Sequence, residues 1–157
     1  MISRRQFLRG DISGRKAFLR PPWALAEAAF LEACTRCGDC VPVCPEKIIV
    51  VVERGYPVVD FARGECTFCE ACLKACAAGA LKKNGDEPPW KIRPQIAGNC
   101  VANKDVVCRS CGDACLRAAI RFRPRLGGAA LPEVDGEKCT GCGACVAPCP
   151  VGAIKLF

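Results

Sequence analysis

The segment that decides the fold is Cys34-Thr35-Arg36-Cys37-Gly38-Asp39-Cys40-Val41-Pro42-Val43-Cys44-Pro45, in which four cysteines follow one another at short, regular intervals. The same pattern, C-T-x-C-x-x-C-x-x-x-C, begins again at Cys66 and at Cys139. A further copy, third in chain order, keeps only the later half of the pattern, and its first cysteine is displaced upstream to Cys100. The chain therefore consists mainly of four copies of one cysteine-rich unit.

The similarity between the copies extends beyond their cysteines. An apolar residue recurs five positions after the last cysteine of each copy, at Ile49, Leu81, Ile120 and Ile154. This spacing predicts a short helix carrying the last cysteine, followed by an apolar strand. We expect hairpins over 50–59 and 120–134, with turns at Arg54-Gly55 and Gly127-Gly128, and a helix over 24–33. The turn-rich stretch 82–89 divides the chain into two similar halves.

Composition narrows the class of protein. A chain with 16 cysteines in 157 residues is either an exported disulfide scaffold or a metal-binding protein. Charges interrupt every candidate before Glu27 for the apolar stretch of roughly 7–15 residues that an export signal needs. No run approaches the roughly 20 apolar residues of a membrane-spanning helix. The sequence therefore predicts a cytoplasmic, metal-binding protein without membrane insertion.

The cysteine spacing indicates which metal centre is present. Because the chain has no histidine, Cys₂His₂ zinc sites, Rieske centres and covalent haem sites are excluded. The run C-x₂-C-x₂-C-x₃-C-P is the bacterial ferredoxin pattern for [4Fe–4S] clusters, whereas a plant-type two-iron site needs a C-x₄-C step. We predict four [4Fe–4S] clusters. The expected iron ligands are Cys34, Cys37, Cys40, Cys44, Cys66, Cys69, Cys72, Cys76, Cys100, Cys108, Cys111, Cys115, Cys139, Cys142, Cys145 and Cys149.

Zinc is the main alternative, although structural zinc sites use pairs of cysteines rather than runs of four. It stays open chiefly for the third copy, which departs from the pattern and could also be a vestigial structural loop. In bacterial ferredoxins the fourth cysteine of a run ligates the other cluster of a pair. We therefore expect Cys44 and Cys76 to be exchanged between the first two copies, and Cys115 and Cys149 between the last two. A nested order, pairing copy one with four and two with three, is the rival.

The net charge of +7 also permits a nucleic-acid partner. Each cluster with its four thiolates adds about −2, however, so four clusters would bring the net charge to about −1. The basic residues then compensate buried cluster charge, and we expect no nucleic-acid binding.

These features predict an α+β fold made of two tandem bacterial ferredoxin-like modules, each holding a pair of [4Fe–4S] clusters. The expected divisions are 1–33 for a basic N-terminal arm and short helix, 34–83 for the first module and 84–157 for the second. Modules of this size bury little apolar surface, so the clusters should act as staples. We expect iron removal to unfold the chain, partly through repulsion between the freed thiolates.

The chain resembles the bacterial polyferredoxins, and within them the NapF group of ferredoxin-type proteins from periplasmic nitrate reductase systems. The resemblance rests on the Ser3-Arg4-Arg5-Gln6-Phe7-Leu8 start, the Pro21-Pro22-Trp23 approach, the C-x₇-C-x₂-C-x₃-C third group and the closing Cys149-Pro150. It implies a cytoplasmic iron–sulfur protein whose partner is the molybdenum catalytic subunit of nitrate reductase before export. The start matches the twin-arginine export consensus, but we expect a recognition arm or a disordered basic tail, because no apolar segment follows.

No nucleophile–base pair can be assembled without histidine, and no phosphate-binding glycine loop is present, so we expect no enzymatic activity. Two functions remain open. The protein either passes electrons to the nitrate reductase catalytic subunit or assists its maturation in the cytoplasm. The alternative is a general low-potential polyferredoxin that serves another redox enzyme.

Overall fold

The computed structural model describes residues 18–156 as a chain of short helices and strands. Three helices are present in this range: α1 (Glu27–Ala33), α2 (Ala71–Lys74) and α3 (Ser110–Asp113). The strands are β1 (Ile49–Val51), β2 (Pro57–Val59), β3 (Pro94–Ile96), β4 (Ile120–Arg125), β5 (Gly128–Val134) and β6 (Ile154–Leu156). The twin-arginine segment lies outside the described residues.

The strands form three separate antiparallel pairs. β1 pairs with β2, and β4 pairs with β5, so both predicted hairpins are confirmed. β3 pairs with β6, with Ile96 opposite Ile154, which joins the lead-in of the second half to its last strand. In the first half, an isolated bridge between Ala24 and Leu81 makes the corresponding closure. Each half is thus closed by pairing between its two ends.

The apolar core of the first half lies between α1 and the β1–β2 hairpin. Phe30 of α1 is fully buried, and Ile48 and Ile49 pack in the same cluster. Arg20 covers this cluster: its guanidinium lies 4.9 Å from the Phe30 ring centre and forms an ion pair with Glu27 at 2.7 Å. The hydrogen bond that Arg20 donates to the Glu27 carboxylate lowers the pKa of Glu27, and this effect is larger than the opposing effect of partial burial. The residues just before the first cysteine group therefore pack as part of the first half.

The helices differ from the expected ones in two respects. The first helix begins at Glu27 rather than at residue 24, because Ala24 is held in the extended bridge to Leu81. The prediction that a helix carries the last cysteine of each copy is wrong. In the second copy α2 carries Cys72, the third cysteine, and Cys76 follows in a turn. A turn at this point lets the last thiol leave its own loop.

The apolar strand expected after each copy is confirmed at Ile49, Ile120 and Ile154, and Leu81 forms the bridge to Ala24. Within residues 18–156, no helix is long and apolar enough to span a bilayer.

Candidate metal centres

The first cysteine group surrounds a cavity beneath α1. Its thiols come from two parts of the chain: Cys34, Cys37 and Cys40 from one loop, and Cys76 from the turn after α2. Phe30 and Leu81 close the cavity on its apolar side. The last cysteine of the second copy therefore lies with the first copy.

The second group makes the reciprocal arrangement. Cys66, Cys69 and Cys72 line a cavity together with Cys44, the last cysteine of the first copy. Ile48 and Phe68 contribute apolar walls, and the cavity measures about 350 Å³ with its solvent-open part included.

The third group assembles despite its irregular spacing. Cys100 immediately precedes a 3₁₀ turn, Val101–Lys104, and the Val106 N–H donates to the Val101 carbonyl at 3.2 Å. This compact loop brings Cys108 and Cys111 back to the cavity that Cys100 also lines. The cavity is lined by Cys100, Cys108, Cys111 and Cys149. Displacement of the first cysteine has not removed it from its group.

The fourth group lies at the core of the second half. Cys145 is buried with Ile120 and Ile154, and Cys115 packs against this cluster. Cys115 and Cys149 occupy the same position in their copies, and each thiol accepts a hydrogen bond from the amide four residues later. The two bonds are Ala119 N–H to Cys115 Sγ at 3.3 Å and Ala153 N–H to Cys149 Sγ at 3.2 Å. These amides fix the direction in which the last thiol of each copy points.

Burial shifts the acidity of the innermost thiols. Desolvation raises the pKa of Cys40, Cys66 and Cys72 to about 11, and that of Cys145 to about 12. Neighbouring thiols raise these pKa values further; Cys44 acts in this way on Cys66. Without metal these four thiols are protonated at neutral pH, so metal binding there must release protons.

The donor set fits [4Fe–4S] clusters. All sixteen cysteines lie within the described residues, and all are free thiols. Within residues 18–156, no three cysteine or acidic side chains converge on a point where a single metal ion would sit. In each of the three cavities the thiols instead surround an apolar space, with three supplied by one loop and one by its neighbour. That is the ligand pattern of paired bacterial clusters.

Comparison with known proteins places the chain in a family. Two regions, residues 33–80 and 106–153, match the model of the 4Fe-4S dicluster domain. The ferredoxin-type protein NapF of Escherichia coli K12 is 41% identical over 97% of this chain and 92% of its own length. The chain belongs to the NapF family of ferredoxin-type proteins. NapF of Haemophilus influenzae is also 41% identical, over 99% of this chain and 93% of its own length. A methylamine utilization ferredoxin-type protein, MauM of Methylorubrum extorquens, is 36% identical over 88% of this chain and 70% of its own length.

Each dicluster region lies within one of the two halves that the strand pairs close, and the second region begins at residue 106, after Cys100. This NapF-type chain is therefore an iron–sulfur protein that contains [4Fe–4S] clusters in two regions of mixed helix and strand. The prediction of the cofactor class and of the family is confirmed.

Sequence reasoning missed the contact between the two halves. The Trp90 ring lies against Phe61 and Phe68 of the first half. Its indole Nε1–H also donates to the carbonyl of Gly141, in the fourth cysteine loop, at 3.0 Å. The only signal in the sequence is the Pro-Pro-Trp motif that precedes each half, which does not name a partner.

Proposed function

We propose that the chain binds four [4Fe–4S] clusters, two in each half, through ligands exchanged between neighbouring copies. The four proposed ligand sets are Cys34, Cys37, Cys40 and Cys76; Cys66, Cys69, Cys72 and Cys44; Cys100, Cys108, Cys111 and Cys149; and Cys139, Cys142, Cys145 and Cys115. The observation that supports this most directly is the shared lining of three cavities by thiols from two loops. The nested alternative would move Cys44 to the fourth copy, away from the cavity that it lines.

The iron content tests this proposal. The protein purified without oxygen should contain about sixteen irons per chain, four in each of four cubes. Iron, sulfide and zinc analysis of the same sample provides the measurement. A reproducible content of about twelve irons after anaerobic reconstitution would reduce the number of clusters to three. Stoichiometric zinc would show that one group, most directly the third, binds a different metal.

The clusters would supply reversible one-electron chemistry, and the chain's own residues would bind them, exclude water and expose them to a partner. Cys37 and Cys69 are exposed, whereas Cys40 and Cys72 are buried in the apolar core. Each of the first two sites thus has one side toward solvent and one toward the core. This arrangement suits electron exchange with another protein, and it includes no nucleophile–base pair. We propose a carrier or assembly protein rather than an enzyme.

The choice of partner rests on the resemblance to the NapF group. We propose that the protein acts in the cytoplasm on the molybdenum catalytic subunit of nitrate reductase before export, either as electron donor or in maturation. The match over nearly the whole chain to two NapF proteins supports this choice over an unspecific ferredoxin.

The alternative is a general polyferredoxin for another redox enzyme. The similarity to a ferredoxin-type protein named for methylamine utilization favours it, because that relative's name does not refer to nitrate reductase.

Anaerobic mixing with the nitrate reductase catalytic subunit separates these functions. If the protein assists maturation, it should form a stable complex with the apo-subunit that is isolated by size-exclusion chromatography. If it is an electron donor, the prereduced protein should reduce the mature subunit rapidly, and stopped-flow absorbance of the clusters reports this. If the protein forms no complex with the subunit and transfers no electrons to it, the general carrier becomes the better proposal. An unrelated molybdenum enzyme serves as the control partner.

A further inference from the structure

The second and fourth cysteine loops, which belong to different halves, are in direct backbone contact. The N–H of Cys66 donates to the carbonyl of Cys142 at 2.8 Å. The equivalent amide of the fourth copy, that of Cys139, instead donates within its own half to Asp135 at 3.1 Å. The contact therefore joins one proposed ligand residue of each half through a single hydrogen bond.

Aromatic side chains surround this contact. The Trp90 ring meets Phe61 edge-on, with ring centres 5.7 Å apart, and lies 6.4 Å from Phe68. Phe61 is buried, and Trp90 donates its Nε1–H to Gly141 on the opposite loop. The cluster of Phe61, Phe68 and Trp90, here called the junction, clamps the two loops together.

The fourth loop can approach so closely because it has glycine on both sides of Cys142. A Cβ at Gly141 would lie 2.8 Å from Trp90 Nε1, and a Cβ at Gly143 would overlap the Phe61 ring. Gly38 stands at the position of Gly143 in the first copy. Both have left-handed φ, +83° and +81°, yet a Cβ at Gly38 would meet nothing within 4 Å. The lack of space at Gly143 is a property of the junction rather than of the repeated loop.

We propose that the junction couples the two halves into one redox unit, with Phe61, Trp90 and Gly143 as positioning residues. This inference rests on the proposed ligand sets. From the thiol of Cys66 to that of Cys142 the path is covalent except for one hydrogen bond, and water has no place in it. With clusters bound, this path would carry one electron from the reduced group in one half to the oxidised group in the other, with no bond formed and no proton moved. The four groups then form a spatial series in the order one, two, four, three.

Electron paramagnetic resonance of the full-length protein, reduced with excess dithionite, tests the coupling. The wild-type spectrum should not be reproduced as two independent cluster pairs, because magnetic interaction extends across the junction. In Gly143→Ala the added methyl displaces Phe61, and the spectrum should become that of two independent pairs at unchanged iron content. Gly38→Ala imposes the same left-handed backbone strain without touching the junction, and should keep the wild-type spectrum.

Variants of Trp90 provide a second, independent test, which decides the question even if Gly143→Ala loses iron. Trp90→Ala removes both the ring contacts and the hydrogen bond to Gly141, and should lose the coupling between halves. Trp90→Phe keeps an aromatic edge against Phe61 and should restore part of it. Full iron content with an unaltered spectrum in Gly143→Ala and Trp90→Ala would overturn the proposal. So would a wild-type spectrum of two independent pairs, and in both cases the four-cluster assignment would stand.

Discussion

Removal of iron from the reduced protein with a chelator should abolish its folded structure. The strands of β1, β2, β3 and β6 have three residues each, and all sheets in residues 18–156 are two-stranded. Such isolated pairs are marginally stable in water. The core of the first half includes Cys40 and Cys72, so an emptied cluster site leaves a cavity in the core itself. Because a metal site is rarely formed in the unfolded chain, the free energy of metal binding also stabilises the folded state.

Near-ultraviolet circular dichroism gives the measurement, because Trp23 and Trp90 both lie in packed surroundings. The signal should collapse on chelation and return when iron and sulfide are restored without oxygen. Repulsion between thiolates, expected from the sequence as part of the cause, does not apply to the buried thiols at neutral pH. Their pKa values are raised to about 11 or 12, so they are neutral once the metal has left. A chelated sample with native-like dichroism would contradict the prediction.

Double cysteine variants should reveal which ligands share a cluster. Because Cys44 lines the cavity of Cys69, Cys44→Ala/Cys69→Ala removes two thiols from a single proposed site. Three sites stay complete, and about twelve irons should remain in intact cubes. Cys44→Ala/Cys37→Ala damages two sites by this assignment, so about eight irons should remain in intact cubes. Mössbauer spectroscopy of protein labelled with ⁵⁷Fe counts the iron in intact clusters.

Each competing arrangement predicts a different best-preserved variant. If every copy ligated its own cluster, the Cys44/Cys37 pair would retain the larger number of intact cubes. If the nested order held, Cys44→Ala/Cys142→Ala would be the best preserved, because both thiols would then belong to the fourth site. Only preservation of the Cys44/Cys69 variant agrees with exchange between neighbours.

The features that sequence reasoning captured are local ones. The cysteine groups follow from fixed intervals, and both hairpins follow from short β-rich runs around turn residues, so neighbouring residues determine them. Cys100 is the limiting case: seven residues separate it from Cys108, and a 3₁₀ turn closes that gap. The assignment of Cys100 to the third group was possible because no other cysteine lies between Cys76 and Cys108.

The features that were missed depend on contacts between distant parts of the chain. Alanine has high helix propensity, yet pairing with Leu81 keeps Ala24 extended. The last cysteine of the second copy, Cys76, was expected on a helix, but the helix ends at Lys74. The position of its thiol in the cavity of the first copy agrees with the expected exchange. The Trp90–Gly141 bond links residues 51 positions apart. Tertiary contacts of this range leave no periodic signal in a single sequence.

The strand pairs also determine the order in which the two halves can fold while the chain is being synthesised. Every described strand and cysteine of the first half lies before residue 82, so its pairs can form as soon as that stretch has emerged. The second half is different, because β3 must wait for β6, which is translated after all the cysteines. Domains generally fold in the order of their emergence. The first half can thus bind its metal early, whereas the second half cannot close around its thiols until β6 has been synthesised.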